Sequence, residues 1–310
     1  MMPVPSLPDF GTRDERIRRQ TYSPVRRKQG LPEPLFWEYW RNVHAPLCAR
    51  LPGLGFYVQH HFSREHTANL WPRIEGIAPM PVVLDGAVEL GFANSDDEAD
   101  FVRESPVLFG DELNLFEHDN AYSIPGGSKT YVDRQSDGVP HGPDRLHRLH
   151  LHLSGGPGED FKAWARGFAS ELASASVVWK LRLHLPEPYD NDKPLPPSPG
   201  VDHFLTAERK SIAAMEIGFE SAVQAREWFE TDLFKSTVPG QRKHLRAIGV
   251  FHVTGVYTFV RDGQPTTAGL RGSRQADIIE AVGAANQVRP EVSRLFVSRS
   301  ARDRSSASND

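Results

Sequence analysis

Glu89-Leu90-Gly91-Phe92 recurs 127 residues later as Glu216-Ile217-Gly218-Phe219, and each copy runs straight into a helix start. Ser95-Asp96-Asp97-Glu98 and Ser221-Ala222-Val223-Gln224 both have the capping-box form. In that form a serine oxygen and a Glu or Gln three residues on satisfy the first free amides of a helix reciprocally. Phe101 and Phe229 then fall on the helical faces. A strand leading into a capped helix, met twice in the same sense, reads as an internal duplication.

Working outward from the two copies gives matching plans. The first half reads as a strand near Thr21 to Arg27, an aromatic helix, strands at Phe56 to Phe62 and Ala87 to Phe92, a helix from Asp96 and a strand near Tyr122 to Val132. The second reads as a strand at Leu146 to Leu153, a helix at Phe161 to Leu172, strands at Val177 to Leu185 and Ile212 to Phe219, a helix at Ala222 to Phe234 and a strand at Leu245 to Val260. Both are βαββαβ, the ferredoxin-like order, in which helices cover one face of an antiparallel sheet and the other face needs cover. Two such sheets face to face enclose a barrel-like interior. The expected fold is therefore α+β, with two ferredoxin-like repeats at 20–135 and 144–262 and a Gly/Pro/Asp-rich linker from Gln135 to Asp144. A C-terminal extension at 263–290 carries a helix near Gln275 to Ala285, expected outside the second half, and a Ser/Arg/Asp-rich tail at 291–310 reads as disordered. Two long connections, Ser63 to Pro81 and Pro186 to Gly200, hold the same place in each repeat and read as paired lids.

The aromatic helix is Phe36-Trp37-Glu38-Tyr39-Trp40-Arg41-Asn42-Val43-His44-Ala45-Pro46-Leu47, bounded by Pro32 and Pro34 before it and Leu51-Pro52-Gly53 after it, so roughly 34–49. At about 100° per residue, Phe36, Trp40, Val43 and Leu47 share one stripe, with His44 at its margin. Two readings stand: a wall of a pocket, or a core helix whose histidine bonds a neighbouring carbonyl. Laying Phe161 on Phe36 puts Trp164 on Tyr39 and Ala169 on His44. The second half lacks the histidine, so a role common to both helices does not explain it, and one working pocket centred on the first half is expected.

Composition narrows the function classes. At 310 residues with 39% hydrophobic side chains the chain can bury a large core, and a net charge of -4 gives no electrostatic case for nucleic acid or an anionic membrane. No apolar run suits a leader or a membrane span, so a cytoplasmic protein is expected. The single cysteine, Cys48, excludes an internal disulfide and a cysteine-rich metal site.

Several of the 13 histidines sit on strands. Leu149, Leu151 and Leu153 point one way and Arg148, His150 and His152 the other; Trp179, Leu181, Leu183 and Leu185 oppose Lys180, Arg182 and His184. If the leucines cover helices, the Arg/His face lines the interior. In the first half, Tyr57, Gln59 and His61 alternate with Phe56, Val58, His60 and Phe62, so only one of His60 and His61 can face inward. Three readings fit this polar face: an acid/base pocket, a metal held by His150 and His152 with a third ligand such as His184, or solvated and interface residues.

An aromatic pair, His44-Ala45-Pro46-Leu47, Leu51-Pro52-Gly53 and Tyr57-Val58-Gln59 together resemble the EthD family of the dimeric α+β barrel superfamily, and Arg27-Lys28-Gln29-Gly30 resembles that family's first strand exit. The resemblance covers about 20–135; the second half matches in plan only. It implies an intrachain dimeric α+β barrel, a pseudodimer that leaves further homo-dimerisation open, and favours Tyr57, Gln59 and His61 as the inward set. The superfamily spans cofactor-free cyclases, dehydratases, decarboxylases and lactone isomerases, monooxygenases and haem-binding proteins, while EthD itself is an accessory protein of ether degradation. The leading expectation is a cofactor-independent lyase or isomerase, with no cofactor and no metal. An aromatic or polyketide-like substrate would stack on Trp37, Tyr39, Trp40 and Trp71, with Arg148 and Arg182 assisting. His44 would be the general base or acid, Tyr57 or His61 would hold an oxyanion, and His150, His152 and His184 would supply the second proton. The alternatives are a non-catalytic binder of hydrophobic ligands and a haem- or metal-dependent oxygenase-like protein.

Overall fold

The structure, a computed structural model, describes residues 8–64, 66–195 and 197–296. In chain order the first half runs β1 (Arg19–Arg27), α1 (Glu33–Tyr39), a π turn (Trp40–His44), α2 (Ala45–Ala49), β2 (Phe56–Phe62), β3 (Ala78–Pro79), β4 (Gly86–Phe92), α3 (Ser95–Glu104), α4 (Pro106–Leu115) and β5 (Phe116–Asp119). Two short strands follow, β6 (Tyr122–Ile124) and β7 (Lys129–Asp133). The second half runs β8 (His141–Gly155), α5 (Glu159–Ala173), β9 (Val178–His184), α6 (Ala207–Lys210), β10 (Ile212–Phe219), α7 (Ala222–Phe229), α8 (Asp232–His244) and β11 (Leu245–Arg261). β12 (Gln264–Pro265), α9 (Thr267–Arg271), α10 (Ser273–Val282) and α11 (Pro290–Ser293) complete it.

The strands pair in the order β5-β1-β4-β2-β11-β8-β10-β9-β7. Within β5-β1-β4-β2 and again within β11-β8-β10-β9, the fourth strand of a βαββαβ unit lies beside the first, and the third lies between first and second. This is the α+β class, and the mixed sheet curls so that the halves face one another across a common interior. Phe56, Val58, Phe62 and Ala87 of the first half pack there with Ala214, Phe251 and Val253 of the second. Outside, α5, α7 and α8 bury Phe168, Phe229 and Phe234 against Leu149, Leu151 and Leu153. On the first half, Phe36, Trp40, Ala45 and Cys48 cover the sheet. Trp40 lies flat on β4 because position 86 is glycine: a Cβ there would fall 2.8 Å from the indole ring.

Several expectations are corrected. The aromatic helix is continuous from 33 to 49, but the π turn inserts one residue into its repeat. The buried stripe is therefore Phe36, Trp40, His44 and Cys48, and Val43 is left 48% exposed. Asn94, in extended backbone, caps α3 in place of Ser95, accepting from the amides of Asp96 and Asp97 at 2.9 Å. Ser221 does cap α7. The last strand of the first half is β5 rather than Tyr122 to Val132, because two helices in series use up the chain; β7 crosses to the edge of the second half and pairs with β9. The C-terminal helix α10 packs on the aromatic helix of the first half, because β11 pairs with β2 and delivers the chain there. Residues 291–296 form short helical turns, and the rest of the tail lies outside the described residues.

The two long connections are straps that cross between halves. The first sends Trp71 among Phe168, Phe229 and Phe234 of the second half and pairs β3 in parallel with β11. The second seats Val201 against Phe36, Trp40 and Phe116 of the first half. Among the described residues no helix is long and apolar enough to cross a membrane.

Candidate functional site

The repeat that opens the sequence reading supplies the centre of the interior. Glu89 and Glu216 hold the same position on equivalent strands, Glu89 opposite Tyr22 across β1 and Glu216 opposite His150 across β8. Both carboxylates are 1% exposed. Glu89 accepts from Gln20 Nε2 at 2.6 Å, Arg182 Nε at 3.0 Å and His60 Nε2 at 3.0 Å. Glu216 is paired with Arg148, whose other nitrogens reach Asp144 and Gln135. Burial works against ionising either carboxylate, but Arg182 and His184 around Glu89, and Arg148 and Lys180 around Glu216, hold both well below the ordinary carboxylate range.

Tyr22 stands between the histidines of the second half. Its hydroxyl lies 3.1 Å from His150 Nδ1 and 2.9 Å from His152 Nε2, and its ring stacks on His184 at 4.8 Å. One phenol hydrogen serves only one of the two nitrogens, so the other imidazole must donate to the phenol oxygen. Burial pushes His152 down to about 3 and His184 down to about 4, and holds His150 well below its ordinary value with help from His60. All three are neutral at pH 7. Burial also raises the Tyr22 phenol. The void beside this cluster, reaching His60, Glu89, Arg148, Arg182 and Glu216, measures about 40 Å³. It has room for a few waters or an ion, not an organic substrate.

Of the expected site residues, His150, His152, His184, Arg148 and Arg182 meet in this interior. Tyr57 and His61 do not. They face the helices, where His61 stacks between Trp37 and Trp40 at 4.2 and 4.8 Å, and Gln59 bridges His61 and the Tyr57 hydroxyl. The inward member of the pair is His60. The physical reason is packing: β2 meets the aromatic helix, and flat imidazole against indole fills that layer better than Phe62 would, which stacks instead on Phe251 inside.

Trp37, Tyr39, Trp40 and Trp71 do not meet around one cavity. Trp40 is fully buried, Tyr39 bonds Asp111 at 2.5 Å, and Trp71 lies in the other half's core. His44 Nδ1 lies 2.8 Å from Asp111 Oδ2, tying the π turn to α4. Against the effect of burial, the hydrogen bonds from His44 and Tyr39 hold the Asp111 carboxyl below its ordinary value.

A groove of about 890 Å³ lies between the first strap and β11. Trp71, Ile74, Ile77, Met80, Leu84, Val250 and Phe251 line it, with Arg64, Asn69, Arg73 and Glu75 at its polar parts. Its floor touches the interior cluster: the Phe251 ring is 5.0 Å from His152 and 5.2 Å from Phe62, which is itself 5.2 Å from His150. The sequence reading missed Tyr22, His60, Glu89 and Glu216 as functional candidates. The signal for the two glutamates was present, since a charged residue kept at the same strand position in both repeats is costly to bury unless it has partners.

Residues 28–108 match the EthD domain. Three solved structures superpose over most of the chain. A putative monooxygenase from Fusobacterium nucleatum is 6% identical, covering 81% of this chain and 97% of its own, with a TM-score of 0.47. An anthrone oxidase-like protein is 11% identical, covering 81% and 96%, also at 0.47. DtpA from Streptomyces lividans is 10% identical, covering 85% and 94%, at 0.39. No curated protein sequence matches the chain. The match to the EthD domain runs from the exit of β1 through the aromatic helix and β4 into α4.

Proposed function

We propose that this protein binds a bulky apolar or aromatic small molecule in the groove between the first strap and β11. The observation that carries the reading is the groove itself: about 890 Å³ with an apolar lining and a few polar groups at its edge, within the range of small-molecule sites. The test is thermal shift across a panel of aromatic and polyketide-like compounds on the wild type and on Val83→Arg. Val83 lines the groove and is 45% exposed, so a charge there blocks apolar ligands without entering the core. A compound that stabilises the wild type should lose its effect in the variant. Equal stabilisation of both, or no stabilisation by any compound, rejects the groove as the site.

One further observation favours turnover over storage. Phe251 lies between the groove and His152, so a ligand that displaces its ring would reach neutral imidazoles joined through a phenol, which can pass a proton without a cofactor. A lyase or isomerase reaction needing positioned proton transfer fits that arrangement. If compounds that bind are also converted, Tyr22→Phe should lower turnover by roughly 10²-fold with binding retained. Unchanged turnover in Tyr22→Phe removes the proton-transfer role.

A further inference from the structure

The interior also holds donor atoms that the proton-transfer reading does not use, among them the second ring nitrogen of His150. His60 from β2, His150 from β8 and Glu216 from β10 each place one ligand atom within 4.8 Å of the other two. The three side chains come from both halves of the chain and are 2%, 0% and 1% exposed. Each histidine uses one ring nitrogen in a hydrogen bond and leaves the other bare. His60 Nε2 is engaged by Glu89 and His150 Nδ1 by Tyr22, while His60 Nδ1 and His150 Nε2 have no partner among the described residues. A fully buried ring nitrogen without a partner is costly, and two of them in adjacent rings, with centroids 4.4 Å apart, call for a common one.

We propose that His60, His150 and Glu216 bind a divalent first-row transition metal ion in the barrel interior. Two imidazoles and one carboxylate are the donor set that suits iron(II) or zinc(II), and they leave coordination positions open. The surroundings have the form that metal-binding histidines need. A ligating imidazole directs its second nitrogen to a carboxylate or another fixed polar group, which sets the tautomer and the ring plane. Glu89 does this for His60 and Tyr22 for His150. Arg148 holds Glu216 through Oε1, which leaves Oε2 to face the ion. The 40 Å³ void, lined by His60 and Glu216 among others, accommodates the waters that would fill the open positions. This inference does not rest on the groove, and either can fail alone.

The test is titration of chelator-treated full-length protein with cobalt(II), whose visible bands report the ligand field. The wild type should bind one equivalent and melt at a higher temperature when loaded. Glu216→Gln and His150→Asn should weaken binding by at least about tenfold, and Tyr22→Phe by about 10- to 100-fold through loss of the His150 orientation. His147→Asn, on the opposite face of β8 where the imidazole stacks on His252, should leave binding unchanged. If the interior variants fail to fold, X-ray absorption of the cobalt-loaded wild type decides the matter, since the site requires two imidazole nitrogens. Absence of stoichiometric binding, equal affinity in the triad variants, loss in His147→Asn alone, or fewer than two imidazoles on the ion would each overturn the assignment.

Discussion

His60 Nε2 donates to Glu89 Oε1 at 3.0 Å between neighbouring strands β2 and β4, and both residues are out of contact with solvent. The same carboxylate binds Arg182 from the other half, so one buried anion links both sheets. Removing it leaves the His60 imidazole and the Nε of Arg182 without their acceptor, while Asp14, Thr130 and Gln20 still hold the other guanidinium nitrogens. Glu89→Ala should therefore cost about 3–5 kcal/mol of unfolding free energy, read from urea denaturation. A loss below about 1 kcal/mol would show that water or another acid replaces it.

Acid should weaken the fold before the ordinary carboxylate range is reached. Burial lowers His152 to about 3, His184 to about 4 and His150 in the same direction. Above about pH 6.5 these groups are neutral in both states and contribute nothing to the pH dependence. Below it the unfolded chain takes up protons that the native state refuses, so stability falls as pH drops, by up to about 1.4 kcal/mol per pH unit for each such histidine. Asp119, whose carboxyl is raised by burial and by Glu112, acts in the opposite sense. Urea midpoints should hold nearly level from pH 7.5 to about 6.5 and then decline down to about pH 5. A flat profile would mean that the interior histidines are already hydrated.

Trp71 ties the first strap into the opposite half, against Phe168, Phe229 and Phe234, at 6% exposure. Trp71→Ala should lower stability by about 3–5 kcal/mol and, because Trp71 also lines the groove, abolish ligand-induced stabilisation. Retained ligand stabilisation in a destabilised Trp71→Ala protein would place the ligand elsewhere.

His44 bonds Asp111 and meets the Phe116 ring edge-on, and the groove is lined by other residues. His44→Ala should reduce stability by about 1–3 kcal/mol while leaving groove affinity and any turnover of groove ligands at the wild-type level. A hundredfold loss of turnover in a folded His44→Ala protein would restore it to the chemistry.

The alternation of apolar and polar residues on β8 and β9 was enough to place Arg148, His150, His152, Arg182 and His184 on the interior face, because period-2 patterning and a leucine-rich opposite face leave one orientation. The strand order within each half followed from the βαββαβ reading, and the end of the aromatic helix from Leu51-Pro52-Gly53. The face of β2 was not legible, since His60 and His61 are chemically equal and only the packing of Trp37 and Trp40 over His61 separates them. Nor was the π turn, which moves His44 into the buried stripe and Val43 out of it by one added residue. The sequence by itself determined the class of fold and the interior face of the second half, because these rest on local periodicity. The tertiary structure alone decided that Glu89, Glu216, Tyr22 and His60 converge with them, because that meeting depends on contacts between residues 68 to 130 positions apart.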